Sequence, residues 1–208
     1  MRTLAMSVIA TFLFGFQSPA AMADHSAISD FGLSYVTYNV GSVSYGWSFA
    51  VSQPISVSSL GVWDYNENGL EDEHGIGLWD VTGTPLAVAT IPGGTAAQLI
   101  DGFRYQDLVG PLLLMPGEYT VGARYNGIDH FHAQFASSMP AFAQSITFIT
   151  SRHYIHPDSG SPVAYPQVAD SFGLIIGANF RFTIVPEPTT LWLLSLGLIG
   201  IFRRRQEI

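Results

Sequence analysis

From residue 43 to residue 51 the chain alternates strictly. Val43, Tyr45, Trp47, Phe49 and Val51 are large and apolar, while Ser44, Gly46, Ser48 and Ala50 between them are small. A period of two puts the two sets on opposite faces of a β-strand. This strand therefore has one heavy core face and one small, polar-leaning face. Shorter runs of similar character follow at 58–63, 75–80, 85–90, 102–108, 118–125, 131–135, 145–150 and 174–183. Turn chemistry separates them, at Asn68-Gly69, Gly83-Thr84-Pro85, Pro92-Gly93-Gly94, Pro116-Gly117, Asn126-Gly127 and Pro157-Asp158-Ser159-Gly160. Strands every ten or so residues with turns between them predict an all-β, antiparallel β-sandwich. A jelly roll of eight to ten strands fits best, and an immunoglobulin-like topology stays open. No amphipathic helices alternate with the strands, which argues against a parallel sheet. Residues 139–142 read as a short helical turn.

Two apolar runs have no such alternation. The first, 4–16, follows Arg2 and precedes Ala21-Met22-Ala23. A basic start, an apolar stretch and small residues at Ala21 and Ala23 make 1–23 a signal peptide, with signal peptidase cutting after Ala23. The second, 191–202, follows Val185-Pro186-Glu187-Pro188 and precedes Arg203-Arg204-Arg205. As a helix its 12 residues reach roughly 18 Å, short of the ~20 residues a stable span needs. A proline-rich spacer, a short hydrophobic helix and a basic stop make 185–208 a sorting tail. It would hold the chain in the inner membrane transiently, arginines on the cytoplasmic side. The alternative is a permanent anchor of marginal length. Residues 24–184 are then the single β-sandwich domain.

The tail, from Val185 to Arg205, resembles the PEP-CTERM sorting signal of Gram-negative bacteria that make exopolysaccharide. The resemblance implies recognition by a membrane-embedded exosortase acting near Pro186-Glu187-Pro188, and delivery to the cell surface or extracellular matrix. The core carries a second resemblance. Gly46-Trp47-Ser48-Phe49, Leu60-Gly61-Val62-Trp63-Asp64, His74-Gly75-Ile76-Gly77-Leu78-Trp79-Asp80, Pro116-Gly117-Glu118-Tyr119 and Gly177-Ala178-Asn179-Phe180 occur in an order similar to that of an extracellular bacterial β-sandwich domain of undefined function. That family implies a fold class and a location, and no activity.

Charge narrows the partners. Fourteen of the 16 acids fall within 24–184 but only four of the eight arginines, and there is no lysine, so the core carries about −10. Such a surface repels nucleic acid and anionic lipid and suits divalent cations and neutral polymers. There is no cysteine, which excludes a disulfide scaffold, a cysteine nucleophile and a thiolate metal site.

The densest candidate site is the run from Asp64 to His74. Asp64, Asn66 and Asn68 followed by Gly69 repeat the opening of an EF-hand calcium loop, with oxygen ligands at positions 1, 3 and 5 and glycine at 6. Position 12 should be a bidentate glutamate and is Gly75, so this is not an EF-hand. Two readings stand: a Ca²⁺ site built from Asp64, Asn66, Asn68 and Asp72, or a solvated hairpin loop whose Asn-Gly is turn chemistry. His130 with His132, and His153 with His156, offer a second route to a metal. Asp158-Ser159-Gly160-Ser161 lacks the nucleophile elbow of a serine hydrolase, and the acids cluster in one polar loop rather than flanking an apolar cleft. The chain thus reads as non-catalytic. Trp47, Trp63 and Trp79 read as core, and Tyr35, Tyr38, Tyr154 and Tyr165 as candidates to stack on sugars. The expected function is a structural or adhesive surface protein of the exopolysaccharide matrix. The alternatives are a calcium-assisted glycan-binding module and, less so, a matrix glycoside hydrolase.

Overall fold

The computed structural model describes residues 23–30, 36–38, 41–134, 140–157, 162–170 and 174–186. Its strands are β1 (Asp24–Ser26), β2 (Ile28–Asp30), β3 (Val36–Tyr38), β4 (Val43–Val51), β5 (Ile55–Trp63), β6 (His74–Asp80), β7 (Pro85–Ile91), β8 (Gln98–Ile100), β9 (Phe103–Leu114), β10 (Gly117–Tyr125), β11 (Phe131–Gln134), β12 (Ala141–Phe142), β13 (Ile146–Ile155), β14 (Val168–Asp170), β15 (Leu174–Ile176) and β16 (Ala178–Ile184). The helices expected in 1–23 and 191–202 lie outside the described residues. Among the described residues no helix is long and apolar enough to cross a membrane.

Eight strands carry the fold. They form two antiparallel sheets ordered β1-β16-β5-β9 and β4-β10-β6-β7. Along these eight the chain crosses to the other sheet at every step except the β6–β7 hairpin. That is the strand order of a jelly roll. It realises the expected sandwich and decides against the immunoglobulin-like topology. β8 extends the first sheet beyond β9, and β13 and β14 extend the second beyond β4. A small sheet, β15-β11-β3, and the pair β12-β2 complete it.

The heavy face of β4 builds the core. Trp47 stacks on Phe180 of the opposite sheet with ring centroids 6.0 Å apart, and Phe49 lies 4.8 Å from the same ring. The Trp47 indole N–H donates to the Ala178 carbonyl at 2.8 Å, and the Tyr125 hydroxyl to the Gly177 carbonyl at 2.8 Å. Each bond ties the second sheet to the backbone at the start of β16. Buried tryptophan and tyrosine need such partners for their polar ends.

The small face of β4 serves close approach. A Cβ at Gly46 would lie 2.0 Å from the Val121 carbonyl oxygen on β10, and backbone cannot yield to it. Residues 162–167 run over this face as a strap. Ala164 donates its amide to Ser44 Oγ at 3.4 Å, Arg152 reaches the Gln167 carbonyl at 3.0 Å, and Pro166 lies over Gly122. Tyr165 of the strap meets Trp79 edge-on, with ring centroids 6.0 Å apart. Trp79 is therefore buried, as expected, but beneath the strap on the outer face of its sheet rather than between the sheets.

Three expectations need correction. Residues 141–142, read as part of a helical turn, form β12 and pair with β2. Phe142 goes there to pack on Trp47, 5.4 Å away. The strand expected to stop at 108 continues to Leu114, because the β5–β9 ladder skips the residues between Asp107 and Leu112 and so never needs an N–H from Pro111. The strand expected over 174–183 is two, β15 in the small sheet and β16 in the main one, divided at Gly177.

Candidate functional site

The acidic loop leaves β5 at Trp63 and is built around Asp64. Both Asp64 carboxylate oxygens accept from the Gly69 amide, at 3.0 and 3.2 Å, and one also accepts from Arg104 Nε at 2.8 Å. Arg104 in turn donates to the Ala97 carbonyl at 3.1 Å and the Thr95 carbonyl at 3.3 Å. Asp64 is 1% exposed and Arg104 6%. Gly69 sits at φ 107, a left-handed conformation that glycine adopts without a Cβ clash. The Asp-x-Asn-x-Asn-Gly spacing thus closes a loop, with Asp64 reaching forward five residues to fix the turn.

The four residues expected to hold calcium point different ways. Asp64 turns inward to a guanidinium that already supplies positive charge. Asn66 and Asn68 are exposed. Asp72 accepts from the Asn126 amide at 2.6 Å and from the Glu73 backbone at 2.8 Å. Among the described residues no group of three or more His, Asp or Glu side chains is placed to hold a metal ion. The histidines disperse too. His130 packs against Tyr65 at 5.0 Å, His153 pairs with Asp170 at 2.9 Å, and His156 bonds Ser44 Oγ at 2.7 Å. The side chain of His132 and residues 158–161 lie outside what is described.

A buried cluster that sequence reasoning missed locks the second half of the loop. Asp129 accepts from the Glu71 amide at 3.0 Å, the Asp72 amide at 3.1 Å and His74 Nε2 at 2.8 Å. The other ring nitrogen of His74 faces the Arg124 carbonyl at 2.7 Å. Both partners are oxygen acceptors, so the ring is held between Asp129 and the Arg124 carbonyl. Burial pushes the Asp129 carboxyl up. The His74 hydrogen bond, the Glu71 and Asp72 amides and the charge of His74 outweigh it and hold the carboxyl below its ordinary range. A carboxylate whose folded pKa is depressed adds stability that is complete above its unfolded pKa and is lost as pH falls through the folded one. The melting temperature is therefore expected to fall steeply below the ordinary carboxylate value of 3.8. In Asp129→Asn that acid limb should be shallower. Melting curves at stepped pH check this, and parallel limbs in the two proteins would reject it.

Residues 185–206 match a PEP-CTERM protein-sorting motif. The chain carries an exosortase sorting tail. The PEP-CTERM motif implies export, sorting to the cell envelope and processing by an exosortase. A comparison with curated proteins finds no match to the chain. Of the motif residues singled out in the sequence, Val185 and Pro186 are described. Val185 donates its amide to the Pro54 carbonyl at 2.9 Å, so the PEP-CTERM segment departs from a pinned point, and Pro186 is exposed. Glu187, Pro188, Arg203, Arg204 and Arg205 lie outside the described residues, as does Ala21. Ala23, the other expected cleavage residue, is exposed beside β1.

Proposed function

We propose that the protein is a non-catalytic structural or adhesive element of the exopolysaccharide matrix, delivered there by its PEP-CTERM tail. The supporting observation is how the reactive-looking side chains are spent. Trp47, Trp63 and Trp79 are all buried. Asp64, in the acidic loop, holds Arg104, and Asp129, which locks that loop from outside it, holds His74. The chemistry that suggested a metal or an acid–base pair is turned inward to fix a rigid loop. The acidic, lysine-free exterior is suited to a neutral polymer.

The test is co-sedimentation of the full chain with exopolysaccharide from its own host, in calcium and in chelator. The expected result is a pellet of equal size in both. No pellet in either buffer overturns the matrix role. A pellet in calcium alone would replace this reading with the calcium-assisted glycan module.

A further inference from the structure

Between the acidic loop and the strap lies a bowl of about 390 Å³ on the outer face of the second sheet. Its floor includes Gly75, which has no side chain and whose added Cβ would press on Val163 at 3.1 Å. Val88 of β7 with Pro162 and Val163 of the strap form an apolar wall. Asp72, Glu73 and Arg124 form a polar one. The volume falls in the range of small-molecule sites, ~300–1,000 Å³.

We propose that this bowl binds one uncharged sugar ring of a polysaccharide. The proposal rests on the matrix reading and adds a place and a ligand class to it. Three alternatives fail on the chemistry of the walls. An anionic ligand would face two carboxylates against one guanidinium, on a chain of net charge −8. A metal ion would find no group of three His, Asp or Glu side chains among the described residues. A wholly apolar ligand would desolvate Glu73 with nothing in exchange. A pyranose matches both walls. Its C–H face covers Val88, Pro162 and Val163, while its hydroxyls donate to the carboxylates of Asp72 and Glu73. Hydrogen bonds to ionised partners are the strong kind. The bowl is distinct from the tyrosines that the sequence offered for sugar stacking. None of Tyr35, Tyr38, Tyr154 or Tyr165 lines it.

The experiment is saturation-transfer NMR on the full chain, in a detergent without a sugar headgroup. The probes are the methyl glycosides of glucose, galactose, mannose and N-acetylglucosamine, with methyl glucuronoside as the anionic control. Transfer to at least one neutral sugar and none to the glucuronoside is expected. Val88 is 58% exposed, so Val88→Asp removes the apolar wall and adds a charge to it without entering the core. It should abolish the signal with an unchanged circular dichroism spectrum. Glu73→Gln, also at an exposed position, should raise the Kd about tenfold. Silence with every neutral sugar, or equal transfer in Val88→Asp, overturns the proposal. Wild type that pellets with exopolysaccharide but gives no transfer overturns the bowl and leaves the matrix role standing. Transfer without a pellet does the reverse.

Discussion

Asp64→Asn is expected to lower the melting temperature by roughly 6–20 °C. The substitution keeps the shape of the side chain and removes the charge. It leaves the Arg104 guanidinium, 6% exposed, without its counter-ion. Removing one partner of a buried pair costs ~3–5 kcal/mol, and a domain of this size loses ~2–4 °C for each kcal/mol. The pair itself is a different quantity. Replacing both partners by apolar residues of similar volume is often neutral, since neither charge is then stranded. The double variant Asp64→Leu, Arg104→Met should therefore melt above Asp64→Asn. Thermal melts of the three proteins decide it. If Asp64→Asn melts with the wild type, the loop is not held by this pair. If the double variant melts lowest, the network of Arg104 with the Thr95 and Ala97 carbonyls matters more than its charge.

Trp47→Ala should destabilise the protein by about 3–5 kcal/mol, the usual cost of emptying an aromatic site in a core. A typical domain has ~5–15 kcal/mol to lose. Two terms contribute, and they can be separated. The ring fills the gap between sheets against Phe49, Phe142 and Phe180. The indole N–H satisfies the Ala178 carbonyl across that gap. Trp47→Phe keeps most of the packing and strands the carbonyl, at a cost of ~1–3 kcal/mol. Urea titrations should rank wild type above Trp47→Phe and Trp47→Ala last. Equal losses in the two variants would make the hydrogen bond, and not the ring, the principal tie between the sheets.

β4 was legible end to end because nine residues alternate without a break and one face is plainly heavier than the other. The light face was legible too, but its purpose was not. The strap that covers it, 162–167, has no period of its own to announce it. The edge strands β1, β2, β3, β8, β12 and β14 have three residues or fewer, too few for a period to register. The acidic loop shows the limit most plainly. Asp64, Asn66, Asn68 and Gly69 have the spacing of a cation loop, and the cation is Arg104, forty residues further on. A local pattern can say that a carboxylate wants positive charge, not which charge comes. One clue was present. With four arginines and no lysine among fourteen acids, each arginine of the core had many carboxylates to choose from. Arg104 lies between the core residues Phe103 and Tyr105, but Arg124 and Arg181 are flanked by core residues in the same way, so this sign did not single it out. Asp129 gave no such sign, because His74 lies 55 residues away.

The pairing of β1 with β16 sets Asp24 beside Thr183, and the Val185 amide is pinned to Pro54 a few residues later. The strands β1 and β16 therefore meet the rest of the chain on either side at one pole of the sandwich. Gly117 and Val51 share that pole, and Tyr125 and Val43 mark the other. Arg124 and Gly75, at the bowl, belong to the far pole, a nine-residue strand or roughly 27 Å away. On the proposed reading, the tail and the bowl therefore lie at opposite poles of the sandwich. If the proposed sugar site holds, one molecule could bridge envelope and polymer, and processing at the tail would leave the distant bowl untouched.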